Sequence, residues 1–187
     1  MTSAISALNG VDVARLVDTV GAIKAQPSLA SFQFRSHTDW ESGGKSRTTI
    51  REFIHAGITD TSRTTPFELV GDEPPVLLGS NAGPNAVEAV LVAIASCLSV
   101  GYAYNAAAKG IEIRKLSFDI EGDLDLHGFL GLSDVIRPGF KDIRVTWHVD
   151  SDAPREQLEE LCEYVQRTSP VLDIVRNPVP VTVELAG

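Results

Sequence analysis

Between Asp12 and Ala25 apolar residues recur at Val13, Leu16, Val17, Val20 and Ile23, a helical period that Pro27 ends. The spacing predicts an amino-terminal helix laid on the main body. Strand-like text follows. Phe32, Phe34 and Trp40 fall on alternate positions around Arg35, His37 and Asp39. Ser42-Gly43-Gly44 reads as a turn, and Arg47 to Ile54 as the return strand. Pro66 to Val70 is a third short strand, and Asp72-Glu73-Pro74-Pro75 breaks the pattern.

A long helix is predicted from Pro84 to Lys109. Gly83-Pro84 suits a first turn, because proline pre-sets φ there, and Gly110 suits the C-cap. At 1.5 Å rise per residue this is about 39 Å of helix. Its interior is rich in small residues, among them Ala93, Ser96, Gly101 and Ala106. They permit close backbone approach, so the helix is expected to be surrounded, with a second copy of itself as one candidate neighbour.

Leu116 to His127 reads as a strand of period two. Leu116, Phe118, Ile120, Leu124 and Leu126 share one face, and Asp119, Glu121, Asp123, Asp125 and His127 lie on the other. Ile143, Val145, Trp147 and Val149 alternate with Arg144, Thr146 and His148 in the same way. Pairing the two strands would set the acidic face against Arg144 and His148. Asp152 is placed to cap a further helix with the stripe Leu158, Leu161, Cys162 and Val165. Thr168-Ser169-Pro170 interrupts it, a short helical piece resumes at Val171 to Val175, and Val179 to Leu185 is a last strand. The fold class is α+β around one long helix.

With 187 residues the chain suits one domain, or two merged subdomains. Its formal charge of −9 argues against nucleic acid and anionic membrane surfaces as partners, since no counterion release is gained on phosphates. Met1-Thr2-Ser3-Ala4-Ile5-Ser6-Ala7-Leu8 lacks the basic and apolar regions of a secretory leader. The longest apolar stretch, Ala89 to Ala95, is too short to span a bilayer. Two cysteines in a chain of this size do not form a disulfide scaffold. A cytoplasmic location is therefore expected.

Cys97 is the candidate for chemistry. Its helical neighbours Ala93, Ile94, Val100 and Gly101 make an apolar, open face. From its surroundings alone it reads as an inert core cysteine. Reactivity needs a cation or donor brought from elsewhere, since mid-helix the dipole supplies none. Glu88 stands nine residues earlier, about 13.5 Å along the axis and half a turn around, where a first-turn carboxylate is favourable in itself. Cys162 fits an apolar stripe and reads as structural. Asp123, Asp125 and His127 read as a solvated face rather than metal ligands, and His37, His55 and His148 form no ligand spacing. Gly44-Lys45-Ser46 mimics the end of a phosphate loop, but Asp39 stands where the earlier glycine is required. No cofactor or metal is expected.

From Leu78-Gly79-Ser80-Asn81-Ala82-Gly83-Pro84-Asn85 through Glu88 to Ser96-Cys97-Leu98 the text resembles the OsmC/Ohr family. Lys109-Gly110-Ile111, Gly122-Asp123-Leu124-Asp125, the Gly139-to-Val149 strand and Ser169-Pro170-Val171 fit as well. The resemblance covers roughly Phe32 to Leu185. It implies an OsmC-like domain over 31–187 behind an amino-terminal helical extension, 1–30. It implies an intertwined homodimer, with curved antiparallel sheets around long central helices and sites at the dimer interface. It also implies a thiol-dependent hydroperoxide reductase of oxidative-stress defence, in which one cysteine attacks, a second resolves, and an arginine and a glutamate activate the first. Cys97 matches the attacking position. Ser169 stands at the resolving position, and Cys162 lies seven residues earlier on its helix. The glutamate of the peroxidase branch falls at Val87, beside Glu88. Its arginine falls at Lys45, with Arg47 close by. The implied enzyme is thus of one-cysteine type, with Cys97 as nucleophile, Lys45 or Arg47 and Glu88 as helpers, and an external thiol as reductant. The alternative is a non-catalytic protein that holds a lipid-like or other small apolar ligand at the dimer interface.

Overall fold

The first element in the computed structural model, which describes residues 7–187, is a hairpin. Asn9 and Gly10 both take positive φ, which folds β1 (Ala7–Leu8) onto β2 (Val11–Asp12) through a two-residue turn. The Asn9 side chain then clamps a distant segment. Its amide donates to the Ile111 carbonyl at 2.9 Å, and its oxygen accepts from Ile113 N–H at 2.8 Å. The part of the leader reading that concerns Met1 to Ser6 lies outside the described residues.

The chain divides into two compact units. One comprises residues 14–90, and the other joins residues 7–13 to 91–187. Helix α1 (Val13–Ala25) forms where its period predicts, but none of its residues is buried. Val17 and Val20 face solvent, while Val13, Leu16 and Ile23 are half-buried. Six strands follow: β3 (Phe32–Phe34), β4 (His37–Ser42), β5 (Lys45–Ile50), β6 (Phe53–His55), β7 (Ile58–Asp60) and β8 (Phe67–Gly71). They make two antiparallel sheets of order β3-β6-β7 and β4-β5-β8. The predicted strand through Phe32 and Trp40 is therefore two strands, and so is the return strand. The chain leaves one sheet for the other at Arg35-Ser36 and again at Arg51-Glu52.

Helix α2 (Ala86–Ala108) crosses the boundary between the units. By length and composition alone it is long and apolar enough to cross a membrane, since the run Ala89 to Ala95 is only part of it. In the second unit it carries two stripes of opposite character. Ile94, Leu98, Tyr102 and Ala106, spaced four apart, are buried. Val92, Ser96, Val100 and Tyr104, spaced the same way around the other side, are exposed.

The buried stripe rests on β9 (Lys115–Asp123), which pairs with β10 (Asp142–Asp150) over nine residues each. Phe118 lies opposite Trp147 and Leu116 opposite Val149. Tyr102 stacks on Trp147 with ring centroids 4.9 Å apart. On the outer face Arg144 reaches Glu121 at 2.9 Å and Asp123 at 2.8 Å, and His148 meets Asp119 at 2.8 Å, as the pairing predicts. The strand stops at Asp123, not His127. Asp125 accepts from His127 N–H and so caps a short helical turn, α3 (Leu126–Phe129).

Helix α4 (Arg155–Thr168) lies along α2 in the opposite direction. Cys97 meets Ser169, and Gly101 meets Val165. A Cβ at Gly101 would come within 2.7 Å of Val165 Cγ1, so the absence of a side chain sets how closely the two helices approach. Asp152 does not cap α4 as expected. It pairs with Arg114 at 2.6 Å, and Pro154 takes the N-cap place. Helix α5 (Pro170–Arg176) follows. Val179 to Leu185 forms no strand in this chain. Pro178 and Pro180 offer no N–H to a ladder, and the alternate Val181, Val183 and Leu185 are exposed.

Candidate functional site

Cys97 sits on α2 between the buried and the exposed stripe, and it is half-buried as a result. Its sulfur lies 3.1 Å from the hydroxyl oxygen of Ser169. The residue expected at the resolving position is therefore in contact with the expected nucleophile across 72 positions of sequence.

The chain puts Ser169 there by local means. Ser169 has extended backbone, φ −74° and ψ 115°, and Pro170 starts the next helix with its fixed φ. The Ser169 oxygen accepts the Leu172 N–H at 3.2 Å, the usual role of a serine N-cap. Ser169 is 5% exposed and Leu172 is buried, so the cap is held from both sides.

Cys162 occupies a separate position, seven residues or about two turns before Ser169 along α4. Gln166 Nε2 donates to its sulfur at 3.3 Å. The Tyr102 hydroxyl also faces it, and burial first, then that sulfur, pushes the phenol well above its ordinary range. This fits the structural reading of Cys162. Tyr102 and Gln166 are contacts that sequence reasoning missed. Tyr102 belongs to the buried stripe, but nothing local in the sequence says where its hydroxyl ends.

Lys45 and Arg47 come together in the other unit. Both grip Glu41, Lys45 at 3.0 Å and Arg47 at 2.8 Å, and Arg47 also reaches Glu68 at 3.3 Å. Lys45 first and Arg47 second hold the Glu41 carboxyl below its usual range. Glu88 belongs to that unit as well. Its carboxylate accepts from Asn85 N–H at 2.9 Å, while the Asn85 side chain accepts from Glu88 N–H at 2.8 Å. That reciprocal pair is a capping box, which fixes the start of α2. Of the acidic face considered for a metal, Asp125 is engaged by His127 at 2.6 Å and Lys141 at 3.2 Å.

A half-buried thiol beside a pinned hydroxyl can meet an electrophile while remaining partly shielded from solvent. Comparison with known proteins gives this arrangement a context. The family model described as OsmC-like protein matches residues 79–184. In fold the chain is similar to an OsmC-like protein from Mycoplasma pneumoniae, with 18% identity, 78% of this chain and 89% of that chain covered, and a TM-score of 0.58. It is similar also to an OsmC-like protein from Vibrio cholerae, with 12% identity, 75% and 92% covered, and a TM-score of 0.52. An organic hydroperoxide resistance protein, OsmC, from Legionella pneumophila shares 16% identity over 78% of this chain and 90% of its own, with a TM-score of 0.50. At these identities the likeness is one of fold. Among curated proteins none matches the chain in sequence.

Proposed function

Because the chain belongs to the OsmC-like family, we propose that it is a thiol peroxidase of one-cysteine type acting in oxidative-stress defence. The observation that carries this reading is the half-buried Cys97 with a hydroxyl, not a second thiol, against its sulfur. The Legionella protein of like fold is described as a hydroperoxide resistance protein, which points to organic hydroperoxides as the substrate class. The thiolate sulfur attacks one peroxide oxygen and the O–O bond breaks. The departing alkoxide takes a proton and leaves as an alcohol, and Cys97 becomes a sulfenic acid. An external thiol then condenses with the sulfenic acid, releasing water. A second external thiol frees Cys97 by exchange and leaves as the disulfide. The family pattern alone assigns Lys45 and Arg47, which pair with Glu41, the cationic role in this reading, and both free cysteines suit a reducing compartment. Reduced protein mixed with cumene hydroperoxide should show sulfenic acid at Cys97 by mass spectrometry, formed far faster than on a free thiol. Oxidation at the free-thiol rate would sink the reading.

The reading includes a homodimer. The stripe Val92, Val100 and Tyr104 is exposed among the described residues, and so is the alternating tail from Val179 to Leu185. An apolar helix face of that length is what a partner buries. Light scattering should give a mass twice the 20.1 kDa of the chain, and Val100→Lys should lower it toward one chain. A wild-type mass of one chain would rule the dimer out.

A further inference from the structure

We infer that Ser169 is itself a catalytic residue, whose hydroxyl donates its hydrogen to the ionised sulfur of Cys97. The inference rests on the reading of Cys97 as the attacking thiol, and it gives a function to the residue that replaces the resolving cysteine.

Three observations carry it. The first is proximity in a shielded place: Ser169 Oγ lies 3.1 Å from Cys97 Sγ, and Ser169 is 5% exposed. A hydrogen bond sheltered from water is stronger than the same bond at the surface. The second is direction. A hydroxyl has one hydrogen, and the Leu172 N–H already points into the Ser169 oxygen from the helix side. Once Cys97 is ionised it has no hydrogen left to give, so the Ser169 O–H is the donor of that pair. The third is preorganisation. Ser169 is an N-cap, followed by Pro170 and anchored by the buried Leu172. The donor therefore stands ready and needs no rearrangement when charge gathers on the sulfur.

The role balances through the reaction. Ser169 keeps its proton throughout. In the attack, sulfur loses two electrons to the peroxide, the S–O bond forms, the O–O bond breaks, and the alkoxide is protonated from solvent. Serine oxygen forms no disulfide with the sulfenic acid, so the two electrons return from the external thiol. The same residue thus steadies the thiolate and leaves the oxidised sulfur open to a second reactant.

The test reads Cys97 without any hydroperoxide. Alkylation of Cys97 by iodoacetamide is followed by peptide mass spectrometry as a function of pH, in wild type, Ser169→Ala, Ser169→Gly and Ser169→Thr. Glycine removes the hydroxyl but caps a helix nearly as well as serine, so it separates loss of the donor from loss of the cap. A charge-assisted hydrogen bond corresponds to about one pH unit, or a tenfold rate difference at a pH below the midpoint. The Ala and Gly profiles should move upward by about that amount, and Thr should restore the wild-type profile. A loss of melting temperature without displacement of the profile would show a purely structural serine and overturn the inference. A Thr variant of wild-type melting temperature whose profile stays displaced would also overturn it. A wild type inert to cumene hydroperoxide would sink the peroxidase reading and with it the catalytic role of Ser169, while the alkylation profiles would still show whether its hydroxyl supports the Cys97 thiolate.

Discussion

Ser169→Cys, given one equivalent of cumene hydroperoxide, is expected to close a disulfide with Cys97 inside the chain. The two side-chain ends already touch at 3.1 Å, within the same compact unit, and a sulfur–sulfur bond needs about 2.05 Å. The sulfenic acid formed on Cys97 is then met by a thiol where wild type offers a hydroxyl. The two condense, one S–S bond forms, and water leaves. The accessible thiol count should fall to that of Cys162, and the crosslinked peptide should appear on non-reducing mass mapping. Closing a loop of 72 positions constrains the unfolded chain by about 4 kcal/mol. The oxidised variant should therefore melt roughly 10 °C above its reduced form. Wild type, with Cys162 held by Gln166 further along the helix, should gain no such crosslink. A variant that accumulates sulfenic acid on Cys97 without crosslinking would show that the contact opens during the reaction.

That contact was legible in the sequence only through the family pattern. Nothing in the local text joins two residues 72 positions apart, because no periodicity carries information over such a distance. The long helix was legible by itself: Gly83-Pro84, the small residues and Gly110 are local signals, and α2 follows them to within a turn. The β9–β10 pair was legible for the same reason, down to Arg144 against the acidic face. The errors fall where local alternation competes with something stronger. Leu124 and Leu126 continue the strand pattern, but the Asp125 side chain captures His127 N–H and turns the chain. Asp152 has the right type for a cap, yet Arg114 takes it. Asn9-Gly10 is a hairpin signal that the helical period after it obscured. Ala56-Gly57 turns β6 into β7 with alanine at φ 49°, a place where the residue type gives no warning. The tail from Val179 carries a strand pattern that pairs with no strand among the described residues.

Gly79→Ala is expected to be the most destabilising small substitution in the segment that leads into α2. A Cβ at Gly79 would lie 1.8 Å from the carbonyl oxygen of Glu73, a backbone atom that cannot step aside as a side chain can. Opening the loop to admit it would break what the loop is wound around. The buried Asp72 carboxylate accepts four hydrogen bonds: Glu73 N–H at 2.8 Å, Ser80 N–H at 3.0 Å, Ser80 hydroxyl at 2.6 Å and Ala82 N–H at 3.0 Å. The family motif around Gly79 thus has a physical basis, a chain reversal packed too closely for a side chain and tied by one carboxylate. The expected loss is about 3 kcal/mol or more, a fall in Tm of roughly 10 °C by calorimetry. The same carboxylate gives the loop an acid dependence. The Ser80 hydroxyl first, then the Ala82 and Glu73 N–H groups, hold Asp72 well below the usual carboxyl value of 3.8. A lowered native value means that its contribution is full above that ordinary value and drains as pH falls beneath it. Wild-type Tm should therefore drop more steeply in acid than that of Asp72→Asn, which begins lower at neutral pH and has no such proton to take up. Parallel acid slopes for the two proteins, or a Gly79→Ala variant melting within a few degrees of wild type, would mean that the loop relaxes without the ties that hold it here.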